Sequence, residues 1–396
     1  MRTVYSAPNR AHHYGYAREL FQAGMLKAFV AGFPRYSPRA PIPEIGTALR
    51  RADQLQTIGI ASQKLGLPGT ISAELAHWAK IQLDRSARTP LRDADIFLFY
   101  NGCGLKSARW FRQQGGITIV EAVNSHVLVQ EQLLREEHQL LGLPWQPFHR
   151  RETRRRVAEV EEADYVMLPS KFVARSFVAQ GIPDRRLLRV PYPMQTIAGA
   201  SAIVSQPDPE DDSFRVLYVG TISVRKGLRY LIEAFRQLRH PKKELWIVGP
   251  TASPTGIEGL PIPEKVKFWG VLKGNDLQAV YARATVFCLP SVEDGFGLVL
   301  NEAIAYGLPV IATENTGIED LLADGKGGLV VPIRDAAAIA NGLNRLAEDG
   351  EFLARKRWEA LAAAKLLNHQ AKATSTLTAT LQQVFQQHRT NGHDDN

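Results

Sequence analysis

Short apolar runs separated by amphipathic stretches constrain the fold of this chain more than any other feature. In the first half the runs are Thr3–Ala7, Leu26–Ala31, Ile96–Tyr100, Ile117–Val123 and Tyr165–Leu168. In the second half they are Arg215–Val219, Leu245–Gly249, Val266–Trp269, Val286–Leu289, Val310–Ala312 and Gly328–Val331. Each has the length of a strand, and the stretches between carry apolar residues at helical spacing. Apolar strands alternating with helices form a parallel sheet covered by helices, so the expected class is α/β.

A chain of 396 residues exceeds one ordinary core. Residues 198–213 are rich in Ala, Ser, Pro and Asp, the composition of a linker or surface loop. The reading is two Rossmann-like domains, residues 1–197 and 214–374, facing across a cleft. Ligands of such sheets sit beyond the carboxyl ends of the strands. The tail carries helical patterns at Glu351–Leu367 and Ser375–Gln387; the second, a C-terminal helix at 375–390, is a candidate to cross back to the first domain.

With 45% hydrophobic and 22% charged residues, the composition is that of a globular protein. No apolar stretch has the length of a bilayer span, and the N-terminus lacks a basic region followed by an apolar run. Cys103 and Cys288 stand far apart, which offers neither a disulfide framework nor a paired-cysteine metal site. The expected location is cytoplasmic. The net charge of +8 is uneven: residues 1–198 carry 27 Lys and Arg against 17 Asp and Glu, a net of +10. The densest basic run is His149–Arg156, which suits either a solvated helix face or a dock for anionic headgroups or another polyanion. Nucleic acid fits less well, because the run lacks interleaved aromatics and no zinc-finger or RNA-recognition signature is present.

Two strand-to-helix turns carry the chemistry. Val286–Leu289 ends at Pro290 and leads into Asp294-Gly295-Phe296-Gly297, then an apolar helical run from Leu298 to Tyr306 that holds Glu302. Backbone N–H groups at such a helix start bind anions, and carboxylates facing the same cleft suit sugar hydroxyls. Alternatively, Asp294 simply caps the helix. The second turn is Val216–Val219, Gly220, Thr221, then Arg225-Lys226-Gly227 and a helix at Leu228–Leu238. Two cations at a helix start form a diphosphate grip, or else are surface charges. Both turns follow strands of one expected sheet and open on the same edge.

Gly220…Arg225-Lys226-Gly227, then Asp294-Gly295-Phe296-Gly297…Glu302-Ala303…Gly307-Leu308-Pro309-Val310-Ile311-Ala312, resembles the retaining glycosyltransferases of family 4, which have the GT-B fold. Ala163–Ser170, Val248-Gly249 and Val266–Gly270 fit the same pattern, and the likeness is strongest over about residues 155–335. The resemblance implies that the second domain binds a nucleotide-sugar. Arg225 and Lys226 would hold the diphosphate and Glu302 the ribose. Asp294 would contact the transferred sugar, and amides from Phe296 through Leu298 to Val299 would cradle sugar and phosphate. The base would lie near Gly249, Pro250, Val271 and Leu272. Glu319 follows the next glycine turn and is either a site acid or a helix N-terminal charge. Ser125-His126 stands where the family has a histidine at the cleft floor. The loop Pro8–Gly15 stands where it has a Gly-Gly turn, of which only Gly15 remains. Asp294 replaces the usual glutamate, with Glu293 one place early, and Thr221 replaces an arginine whose charge Arg225 would supply. Arg135–His138 reads as a helix face rather than a metal site.

The resemblance implies transfer of a sugar from a nucleotide diphosphate donor to a hydroxyl, with retention, without cofactor or metal. With the basic first domain on the acceptor side, it suggests a lipid-linked or anionic acceptor at an inner membrane face, in surface polysaccharide or glycolipid assembly. The alternatives are a sugar-nucleotide 2-epimerase of the same fold, a catalytically inactive sugar-nucleotide-binding scaffold, and a polyanion-binding module.

Overall fold

The computed structural model describes residues 1–67, 69–192, 212–322, 325–373 and 376–391. Two all-parallel sheets organise the chain. The first contains β1 (Thr3–Ala7), β2 (Leu26–Ala31), β3 (Leu49–Arg51), β4 (Ile96–Tyr100), β5 (Ile117–Glu121), β6 (Tyr165–Leu168) and β7 (Leu187–Arg189). The second contains β8 (Phe214–Val219), β9 (Lys243–Val248), β10 (Val266–Gly270), β11 (Val286–Leu289), β12 (Val310–Thr313) and β13 (Gly328–Val331). The strand orders are β3-β2-β1-β4-β5-β6-β7 and β10-β9-β8-β11-β12-β13. In each sheet the order reverses beside the first strand, at β1/β4 and β8/β11, which opens a crevice at the carboxyl edge.

The central strands are buried on both faces, as their continuous apolar runs require. Edge strands β3 and β7 escape that signal, being three residues each with arginine in both. Strand β5 stops at Glu121, so Ala122 and Val123 leave the sheet and turn towards the cleft. The stretch Pro8–Gly15 is not all loop. A helix runs from His13 to Gln22, and Gly15 lies within its first turn.

Most of the expected linker lies outside the described residues. The helix Thr376–Asn391 follows the second domain, yet Leu377, Leu381 and Val384 join the core of the first, with Tyr5, Phe29 and Leu98. Their spacing makes one helical stripe, and that stripe is the packed face. Among the described residues no helix is long and apolar enough to cross a membrane.

Candidate functional site

In the second domain, β8 and β9 end on glycines that touch backbone to backbone. Gly220 N–H donates to the Val248 carbonyl at 2.9 Å. Gly249 adopts φ 142°, and a Cβ there would stand 2.0 Å from the Gly220 carbonyl oxygen. The next turn places Arg225 and Lys226 just before Gly227, which adopts φ 62°. The Arg225 guanidinium donates to the Glu293 carbonyl at 3.0 Å and to the Glu293 carboxylate at 3.1 Å. The Lys226 ammonium donates to Asp294. Both expected phosphate-binding cations are thus brought together with the acids that follow β11. Burial opposes ionisation of Asp294, but Lys226 and Arg225 overcome it and hold the carboxyl below its usual range.

The helix Leu298–Ala305 starts at Gly297, which adopts φ 75°. Phe296 is buried, whereas Leu298 and Val299 are half-buried against the core. Glu302 accepts a hydrogen bond from the Tyr281 hydroxyl at 2.8 Å, and Tyr281 stacks on Tyr306 at 5.3 Å. Burial raises the Glu302 carboxyl, with the Tyr281 bond only a partial offset. At the ends of β9 and β10, Pro250 and Val271 are exposed and Leu272 packs on the core.

The first domain meets this edge directly. Glu293 is wholly buried and accepts from Ser125 N–H at 3.1 Å, Ser125 Oγ at 2.9 Å and Gln130 Nε2 at 3.0 Å, besides Arg225. It bolts the two domains together. Ser170 Oγ donates to the Gly295 carbonyl at 2.6 Å. A Cβ on Gly295 would stand 1.9 Å from the Val123 carbonyl oxygen, so the two backbones meet there only because this residue is glycine. His126, next to Ser125, is buried. Its Nδ1 caps the helix Val127–Leu140 by accepting from Leu128 N–H at 3.4 Å, and its ring lies edge-on to Phe177. Burial, with Arg156 nearby, pushes the imidazole down to about 4.

A cluster that motif reading missed lies at the carboxyl ends of β1 and β5. Glu121 receives the Tyr5 hydroxyl at 2.8 Å and His12 Nε2 at 2.5 Å, and His13 Nδ1 lies 2.5 Å from the Tyr5 hydroxyl. Burial opposes the Glu121 charge, but His13 and His12 hold its carboxyl well below the usual range. His12 stacks on Tyr192 at 4.0 Å, and Tyr192 meets Phe296 edge-on at 5.3 Å, which ties the cluster to the loop before the helix Leu298–Ala305. Among the described residues, His12, His13 and Glu121 converge with potential metal-ligand atoms within 4.8 Å of one another. Both Glu121 oxygens already accept hydrogen bonds. The available signal was a glutamate breaking an apolar run, beside a histidine pair.

Further clasps line the interface. Arg334 donates to Glu137 at 2.7 Å, to Glu136 at 3.2 Å and to the Leu133 carbonyl at 2.9 Å, while the Tyr230 hydroxyl donates to Glu137 at 2.8 Å. The stretch Arg135–His138 is therefore not merely a solvated helix face. Glu319 pairs with Arg175 of the first domain at 2.5 Å, and Lys171 N–H donates to Asp320 at 2.9 Å. The basic run also needs correction. Arg155 is buried against Asp84 at 2.7 Å and Glu159 at 3.2 Å, and Arg156 donates to Asn101 at 2.9 Å. Arg150, Arg151 and Arg154 are its exposed arginines.

Residues 213–349 match the family model described as glycosyl transferases group 1. A D-inositol 3-phosphate glycosyltransferase of Corynebacterium efficiens is 32% identical over 171 residues, covering 40% of this chain and 40% of the relative. The chain spans about two fifths of the length of the first curated relatives it matches, 38% to 41%. The structure of a sucrose-phosphate synthase from Thermosynechococcus elongatus superposes with a TM-score of 0.67 at 20% identity, covering 98% of both chains. That of Anabaena Alr3699/HepE in complex with UDP and glucose gives 0.61 at 17%, covering 96% of this chain and 100% of the other.

Proposed function

We propose, from the match of residues 213–349 to the group 1 glycosyltransferase model and from the GT-B fold, that the protein transfers a sugar from a nucleotide diphosphate donor to a hydroxyl acceptor, with retention and without a metal. One observation carries the reading. Arg225, Lys226, Asp294 and the start of the helix bearing Glu302 meet at the carboxyl edge of the second sheet, against the first domain. A diphosphate leaving group builds negative charge, which two cations and a helix start stabilise. Glu302, held by Tyr281, is the ribose ligand of this proposal. The leaving phosphate oxygen takes the acceptor proton on the same face of the sugar. Closure, which the Glu293 bolt maintains, excludes water from the donor.

The acceptor belongs to the first domain. Its surplus of positive charge supports an anionic or lipid-linked acceptor, met at the inner membrane face in surface polysaccharide or glycolipid assembly. The test is thermal unfolding with a panel of nucleotide diphosphates and their sugars, beginning with UDP because a neighbour of this fold was solved with it. At about a hundred times the dissociation constant, binding stabilises by roughly 2.7 kcal/mol. One nucleotide should raise the melting temperature of the wild type and not of Lys226→Ala. No shift with any nucleotide removes the proposal.

A further inference from the structure

We infer that the helical hairpin of the first domain, with the exposed arginines beside it, is a docking face for an anionic lipid bilayer. The inference deepens the lipid-linked acceptor reading, and its test requires no catalysis.

The hairpin comprises the helices Gln54–Lys64 and Gly69–Leu91. Small residues form its seam: Gly59 faces Leu75, and Ser62 Oγ lies 3.3 Å from Ser72 Oγ. Large apolar residues are left outside. Ile58, Leu65, Leu67, Ile71 and Trp78 are between 44% and 78% exposed. Ile71, Glu74, Trp78, Ile81 and Arg85 recur at spacings of three and four, one face of the longer helix. Leu55 of the shorter helix shares a groove with Trp78, Ile81 and Arg85.

The charge lies on the same face. Glu74 is met by His149 at 3.3 Å and Arg151 at 3.7 Å. This brings the exposed turn of Arg150, Arg151 and Arg154 alongside Ile71 and Trp78. An apolar face with an aromatic, rimmed by arginine, suits a surface of acyl chains beneath anionic headgroups. The topology fixes its position. The longer hairpin helix leads into β4 and the helix Arg150–Glu162 into β6, so both begin at the carboxyl edge of the first sheet. Lys80 and Arg156 confirm this by flanking Gly102, just after β4. The face therefore borders the rim of the cleft, where a lipid-linked hydroxyl would enter.

The full chain would be sedimented with vesicles containing about 30 mol% phosphatidylglycerol in phosphatidylcholine, and with pure phosphatidylcholine. Binding should be at least about tenfold tighter to the anionic vesicles and fall when salt is raised to about 0.5 M. Ile58→Ser/Trp78→Ser and Arg150→Glu/Arg151→Glu should each lose it, with unchanged melting temperature and nucleotide-induced stabilisation. Trp78→Phe should still bind but lose the vesicle-induced blue shift of tryptophan emission. Vesicle binding that survives either double substitution overturns the inference. So does retention on heparin without vesicle binding, which would make the face a soluble-polyanion site. A vesicle failure with nucleotide stabilisation intact leaves the donor reading standing, and the converse result leaves the docking face.

Discussion

Asp294 is one methylene shorter than the glutamate usual at its place in the family this chain resembles, and the structure shows what the shorter side chain does. It stays on Lys226, the cation proposed for the donor phosphate. Replacing it by asparagine leaves a largely buried ammonium without its anion. Asp294→Asn should destabilise the ligand-free protein by about 1–3 kcal/mol. The nucleotide that stabilises the wild type should then give a larger shift, because its phosphate supplies the missing charge. Equal shifts in the two proteins would sink this account. His126 gives a pH prediction. Its folded value of about 4 lies below the ordinary 6.5, so the unfolded chain takes up a proton that the folded one refuses. Stability therefore falls as pH drops from 6.5 towards 4. Between pH 7 and about pH 4.5 the loss should be roughly 2–3 kcal/mol. His126→Asn, which keeps a capping side chain, should show a correspondingly flatter dependence in urea midpoints. An unchanged pH slope would place the titration elsewhere.

Among the elements, the glycine turns hold strand ends together at distances no side chain allows. Gly249 combines φ 142° with a Cβ position 2.0 Å from the Gly220 carbonyl oxygen, in the turns that carry the proposed base and phosphate sites. Gly249→Ala should cost roughly 3 kcal/mol, read as a lower urea midpoint with unchanged slope. A change below about 1 kcal/mol would mean that the turn relaxes freely. These turns were legible in the sequence because glycine after an apolar run announces a strand-to-helix turn. Tyr281 was not. It lies in a different helix from Glu302, 21 residues away in the chain, and no local pattern joins them.

Across the whole molecule, the domains are held by contacts distant in the chain: Glu293 to Ser125 and Gln130, Arg334 to Glu137, and Arg175 to Glu319. Arg334 makes its contacts from φ 62°, an uncommon conformation for a residue other than glycine. Each sheet has its own buried core, with Leu133 and Tyr192 of the first domain packed against that of the second, so the interface is expected to open without unfolding either domain. Gly295→Ala, which drives a methyl group into the Val123 carbonyl, should hold the domains apart. The expected readings are a larger radius of gyration in solution scattering, a near-native circular dichroism spectrum and loss of donor turnover. A radius equal to that of the wild type would show that the interface absorbs the methyl group.

The sequence by itself determined the two parallel sheets and the glycine turns, because continuous apolar runs and backbone freedom are written locally in residue type. It also supplied Arg225, Lys226, Asp294 and Glu302, whose spacings from those turns carry the family resemblance. Only the tertiary structure decided which charges face one another. Arg155, read as part of a basic surface run, is buried between Asp84 and Glu159, while Arg150 and Arg151 remain exposed beside an apolar hairpin. Glu293, one place before the motif acid, proved to be the bolt between domains. The physical reason is that burial and ion pairing at these positions depend on partners dozens to hundreds of residues away. A charged residue looks the same in sequence whether water or another domain covers it.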